Sequence, residues 1–69
     1  MRLSARNKID ATITGITRGE ATANVTLDAA GTRLVASITV EAADELGLTD
    51  GMRVVAIIKA SDVMLAVAD

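Results

Sequence analysis

"TVEAADELGL", residues 39–48, is the one stretch of this sequence whose pattern is helical. Thr39 suits a cap, Glu41, Asp44 and Glu45 stand among good helix formers, and Gly47 offers a left-handed stop after which Leu48 folds back. One or two helical turns fit. The flanking stretches read as strands, so the place of this helix among them decides the architecture.

Upstream, Leu34, Ala36, Ile38 and Val40 alternate with Arg33, Val35, Ser37 and Thr39, which predicts a third strand entered through a turn around Gly31 in "DAAGT". Before that turn Ala21, Ala23, Val25 and Leu27 share one face, with Thr22, Asn24, Thr26 and Asp28 on the other. A first strand begins at Ile9, Ala11 and Ile13, its alternation lapsing near Gly15 and Ile16 ahead of "TRGEA". Downstream, Asp50-Gly51 makes a turn, "MRVVAIIK" is apolar on both faces and predicts a buried fourth strand, and "VMLAVA", after the "KASD" link, predicts a fifth. Three strands, one helix and two strands is the order of a mainly β, small five-stranded OB-like Greek-key barrel with one short helix between strands three and four. Periodicity alone fits a β-sandwich fragment nearly as well, and the single helix favours the barrel. With no Pro-rich linker, repeat or low-complexity run, residues 1–69 read as a single domain.

The 69 residues bound what that domain can do. A chain this short buries only about 60% of its unfolded surface, so a solitary core is marginal. Disulfides and structural zinc are excluded as staples, because cysteine and histidine are absent, which leaves self-association as the expected supplement. Hydrophobic residues make up 51% of the chain and none is aromatic, so its apolar surface lies on small side chains suited to flat, repeated contacts.

The same absences bear on chemistry. With neither histidine nor cysteine there is no ordinary general base near neutrality and no thiolate, so no enzymatic activity is expected. The nine acidic residues form no calcium-loop motif, and no free metal cation is expected to bind. A net charge of −2 and the lack of base-stacking aromatics argue against nucleic acid as a partner. The longest apolar run, "VVAII", is far short of the ~20 residues that span a bilayer, and "MRLSARN" lacks the apolar core of a signal peptide. No membrane partner and a cytoplasmic location are the expectations. The N-x-T match at Asn24-Val25-Thr26 then reads as a strand fragment.

Two short polar clusters stand apart from this apolar background. In "SARN", Ser4 and Arg6 fall on the same side of an extended chain, and in "KAS" so do Lys59 and Ser61. Taken singly, the first fits a wet terminal segment and the second a hairpin connection. Taken together they are two copies of one arrangement, a cation and a hydroxyl two residues apart across an alanine small enough to leave the backbone amides approachable. Fixed positive charge, hydroxyl donors and exposed N–H groups are what an oxyanion needs, since a tetrahedral dianion accepts many hydrogen bonds and donates few or none.

These motifs, "LSARN", "GITRG", "ITVEAADELGL" and "VVAIIKASDVMLAV", resemble those of the molbindins, the free-standing Mop domains that also occur as TOBE domains of molybdate transporters and regulators. The resemblance covers the whole chain. It implies a cytoplasmic protein that stores or buffers molybdate, and tungstate as well, without an organic cofactor, built as a homo-hexamer arranged as a trimer of dimers. It also implies an oxyanion site between subunits, onto which Ser4, Ala5, Arg6, Thr39, Lys59, Ala60 and Ser61 map. The family's frequent serine three residues after the threonine is Ala42 here. A second family site near a threefold axis maps loosely onto Gly19, Ala21 and Thr22, beside Glu20, whose charge would repel a dianion unless it points away. The "SARN" and "KAS" clusters of one site are expected to come from separate chains. An oligomeric OB-like interaction module without physiological anion binding is the alternative reading.

Overall fold

The computed structural model describes residues 2–68; Met1 and Asp69, the outermost positions of the expected domain, lie outside the described residues. Strands β1 (Asn7–Arg18), β2 (Thr22–Ala29) and β3 (Thr32–Thr39) are followed by helix α1 (Val40–Glu45), strand β4 (Arg53–Ile58) and a 3-10 turn, Ala60–Asp62. All pairings are antiparallel and the sheet order is β3-β2-β1-β4. This is a Greek key: three strands joined consecutively, and a fourth that returns through a longer connection to lie beside the first.

Alternation builds the core. Ala11 and Ile13 of β1 and Val25, Leu27 and Ala29 of β2 are buried together, and Leu34, Ala36 and Ile38 of β3 and Val54 and Ala56 of β4 pack against them. The lapse of pattern near Gly15 is a β-bulge, where the register of β1 against β2 shifts between Ile13 and Gly15. It lies beyond the segment paired with β4, which runs from Asn7 to Thr12 of β1. The carbonyl and amide of Ile13 are both bonded to the turn before β4, by Gly51 N–H at 2.7 Å and to Met52 O at 2.9 Å.

The helix forms as its caps dictate. Thr39 Oγ1 accepts the Ala42 amide at 3.0 Å. At the other end Gly47 takes φ +63°, its N–H donates to Asp44 O at 3.1 Å, and Leu48 N–H donates to Ala43 O at 3.1 Å, a Schellman pair. The β2–β3 hairpin is a two-residue turn with positive φ at both Ala30 (53°) and Gly31 (88°). Asp28 Oδ1 supports it by accepting the Gly31 amide at 3.1 Å.

Two expectations need correction. Among the described residues the sheet has four strands, and the predicted fifth, residues 63–68, pairs with none of them. Strand β4 is not buried on both faces, because Val54, Ala56 and Ile58 are half-buried whereas Val55 and Ile57 are exposed. Both departures have one physical cause. The edges of β3 and β4 flank an open groove, and among the described residues no strand pairs with either edge.

Candidate oxyanion site

The β1–β4 ladder ends at the pair Asn7 and Ile58, and a second bond fixes that end, from Asn7 Nδ2 to Ile58 O at 3.1 Å. One residue further out on each side stand Arg6 and Lys59. The ladder therefore places the last residue of "SAR" and the first of "KAS" beside the same end of the β1–β4 pair in one molecule. Pairing between residues so distant in sequence does this, and local spacing does not reveal it. Asn7, left out of the expected ligand set, fixes the end of the ladder next to both clusters, and its signal was its place directly after Arg6.

Ser4 and Arg6 are exposed and Ala5 is half-buried. Lys59, Ala60 and Ser61 are exposed in and before the 3-10 turn, where Asp62 N–H donates to Lys59 O at 2.9 Å and Val63 N–H to Ala60 O at 3.3 Å. Among the described residues the one ion pair is Arg18–Asp44, at 2.7 Å, so Arg6 and Lys59 have no acidic partner there. The carboxylate of Asp62 lies in the same turn as Ser61 and is the nearest acid in sequence to the cluster.

Thr39 sits elsewhere. It pairs with Thr22 across β2 and β3, next to the pair formed by Ala23 of β2 and Arg18 at the far end of β1. The whole of β1, 12 residues, lies between it and the Arg6–Lys59 edge, in a molecule whose longest dimension is 38 Å. One chain thus places Arg6 and Lys59 directly after the end of the β1–β4 ladder and Thr39 beside the far end of β1. With the Ala42 amide bonded to its oxygen, Thr39 still has its hydroxyl proton to donate.

The loosely mapped second set, Gly19, Ala21 and Thr22, forms the β1–β2 turn. Its backbone is partly committed: Gly19 N–H donates to Thr22 O at 2.8 Å, and Ala21 O accepts Val40 N–H at 2.9 Å. The Gly19 amide is therefore spent inside the turn, with exposed Glu20 beside it. This set offers an anion less than the first. Among the described residues no group of acids or other ligands could hold a metal ion, and no helix is long and apolar enough to cross a membrane.

Comparison with known proteins finds the same arrangement of sequence and fold elsewhere. The profile of the TOBE domain matches residues 3–65. Molybdenum-pterin-binding protein 1 of Clostridium pasteurianum is 36% identical over 66 residues, covering 94% of this chain and 97% of that protein. The solved structure of a molybdate binding protein from Sporomusa ovata superposes with a TM-score of 0.93 at 38% identity, covering 96% of this chain and 98% of the other. The cytoplasmic molybdate-binding protein ModG, solved with molybdate bound, gives a TM-score of 0.84 at 33% identity over 94% of this chain and 53% of its own.

Proposed function

The chain belongs to the TOBE domain family, and we propose from that membership and from the paired cation–hydroxyl clusters that it binds molybdate in the cytoplasm as a store or buffer. The observation that supports this reading is that Arg6 and Lys59 each stand one residue beyond the terminal β1–β4 pair, Asn7 and Ile58, without acidic partners among the described residues and each two residues in sequence from a serine, Ser4 and Ser61. Two fixed cations offset a dianion, and hydroxyls and amides supply directed donors. The site works by binding alone. Tungstate, alike in charge and shape, is expected to bind as well, and sulfate, being smaller, to reach fewer donors at once.

The free oxyanion, not a pterin complex, is the proposed ligand. The chain has no aromatic side chain on which a pterin ring would stack. The whole of residues 1–69 acts in this reading as one oxyanion-binding domain, assembled as a homo-hexamer, a trimer of dimers. Supporting an intersubunit site is the separation of Thr39 from the Arg6–Lys59 edge: a site that uses all of them draws Thr39 from another copy. An anion held between copies then stabilises the assembly by mass action. The threefold set at Gly19, Ala21 and Thr22 is proposed only as a secondary site. A five-stranded barrel is the proposed form of the assembled domain.

Titration calorimetry of the purified protein with molybdate, tungstate, sulfate and phosphate tests the reading. Saturable heats with molybdate and tungstate, and weak ones with sulfate and phosphate, are expected. Equal, weak responses to all four would reduce the clusters to an ordinary charged edge.

A further inference from the structure

Strand β1 carries one cation that the expected ligand set omits. Ala11 and Ile13 are buried in the core, so the two-residue period of a strand sends Lys8, Asp10 and Thr12 to the opposite face of the sheet, where Lys8 and Asp10 are exposed. Opposite Lys8 in the ladder stands Ile57, and opposite Asp10 stands Val55, both exposed as well. Lys59 keeps an extended backbone, φ −64° and ψ 141°. It therefore continues the alternation of Val55 and Ile57 and falls on the same face as Lys8.

Lys8 is thus the diagonal neighbour of Lys59 across β1 and β4, a relation that separates two positions by roughly 7–8 Å. Arg6 stands two residues before it in the chain. Among the described residues the one ion pair is Arg18–Asp44, so Lys8 is not committed to a carboxylate, and none of the side-chain hydrogen bonds involves it. Two acids stand nearby: Asp10, one step further along the same face of β1, and Asp62, in the turn beyond Lys59. Packing asks nothing of the charge at position 8, since the side chain is in water. What remains is its field, added to that of Arg6 and Lys59 at one end of the ladder.

We infer that Lys8 is a third cation of the oxyanion site, one that raises affinity through its charge at a distance while Arg6 and Lys59 hold the anion. The inference rests on the anion-binding reading above and names a residue that sets the strength of that site without being its ligand. A unit charge about 7–8 Å from a dianion in a water-like dielectric changes affinity about sixfold. Such an effect has two signatures that shape and packing lack. It follows the charge of the side chain step by step, and it fades with salt, because the Debye length shrinks from about 30 Å at 0.01 M to about 3 Å at 1 M.

The test is titration calorimetry with molybdate on the wild-type protein and on Lys8→Arg, Lys8→Met and Lys8→Glu, at about 0.01 M and about 1 M sodium chloride. Circular dichroism verifies that each variant is folded, as the exposure of Lys8 leads one to expect. At low salt the expected loss is about sixfold for methionine and about sixfold again for glutamate, one step per unit of charge, with arginine equal to wild type. At high salt the four affinities converge. Equal low-salt affinities for wild type, Lys8→Met and Lys8→Glu would overturn the inference and leave the anion-binding reading standing. Losses that persist undiminished at high salt, or that Lys8→Arg shares, would overturn it too, by making position 8 a matter of shape. Absence of molybdate binding to the wild-type protein at low salt would overturn the anion-binding reading itself, and this inference with it.

Discussion

Asn7 and Ile58 are joined twice, as the last pair of the β1–β4 ladder and through the Asn7 side-chain amide on the Ile58 carbonyl at 3.1 Å. This clamp sets the spacing of Arg6 and Lys59, the next residues outward. Replacing Asn7 by leucine keeps the size of the side chain and removes the clamp. Molybdate affinity is expected to fall about five- to tenfold, equivalent to the ~1 kcal/mol of one hydrogen bond. Circular dichroism should be unaltered, and an unchanged affinity in calorimetry would show that the ladder alone positions the clusters.

The cations themselves should matter more. Arg6→Met and Lys59→Met each keep much of the apolar stem and leave anion charge uncompensated. Each is expected to weaken molybdate binding by roughly tenfold to a hundredfold, about 1.5–3 kcal/mol. If both residues face one ligand, as proposed, the double variant should lose less than the sum of the single losses. Strict additivity in calorimetry would place them on different anions.

How far the sequence revealed this molecule depends on the range of the forces concerned. Helix α1 was legible because its determinants are local: Thr39 caps within three residues and Gly47 with Leu48 closes the far end. The core faces of β1, β2 and β3 were legible through alternation, and even the bulge left its mark where the pattern lapsed at Gly15. The placing of Arg6 and Lys59 next to one ladder end was not, since it arises from the register of strands 51 residues apart at Asn7 and Ile58, which no local spacing encodes. Nor was the missing strand. Apolar period marks residues 63–68 as strand-forming but cannot say whose sheet they join. The spent amide of Gly19 was hidden for a related reason, because a turn's internal hydrogen bond depends on its conformation as well as its composition.

Ala30 carries the one positive φ of a non-glycine residue among the described residues, 53°, in the β2–β3 turn. Left-handed backbone costs an alanine roughly 1–2 kcal/mol, whereas glycine adopts it freely and loses part of the gain to its unfolded-state entropy. Ala30→Gly is therefore expected to stabilise the protein by about 0.5–1 kcal/mol, a rise of several degrees in Tm for a domain of this size. The comparison is made by calorimetric scanning at one fixed protein concentration, because assembly also shifts Tm. A lower Tm would mean that the turn tolerates Ala30 without strain.

Thr39 has two tasks that substitution can separate. Its oxygen caps α1 through the Ala42 amide, and its proton is left for an anion. Thr39→Val removes both and should cost about 1 kcal/mol of ligand-free stability as well as part of the molybdate affinity. Thr39→Ser should preserve both. Reduced thermal stability with undiminished affinity for molybdate in the valine variant would leave Thr39 a cap and nothing more.

The placement of Thr39 at the opposite end of β1 from the Arg6–Lys59 edge makes a prediction about mixed assemblies. If each site takes Arg6 and Lys59 from one chain and Thr39 from its neighbour, Arg6→Met chains mixed with Thr39→Val chains regenerate intact sites. In such a pair one interface carries both defects, and the other joins an unaltered Arg6–Lys59 edge to an unaltered Thr39. Mixing Arg6→Met with Lys59→Met chains restores nothing, because every edge still lacks one cation. Calorimetry after subunit exchange, confirmed by mass spectrometry of differently labelled chains, should show tight molybdate binding recovered in the first mixture and absent from the second. Recovery in the second mixture alone would mean that Arg6 and Lys59 act across an interface despite adjoining in one chain. Recovery in neither would confine the site to a single chain's edge and remove Thr39 from it.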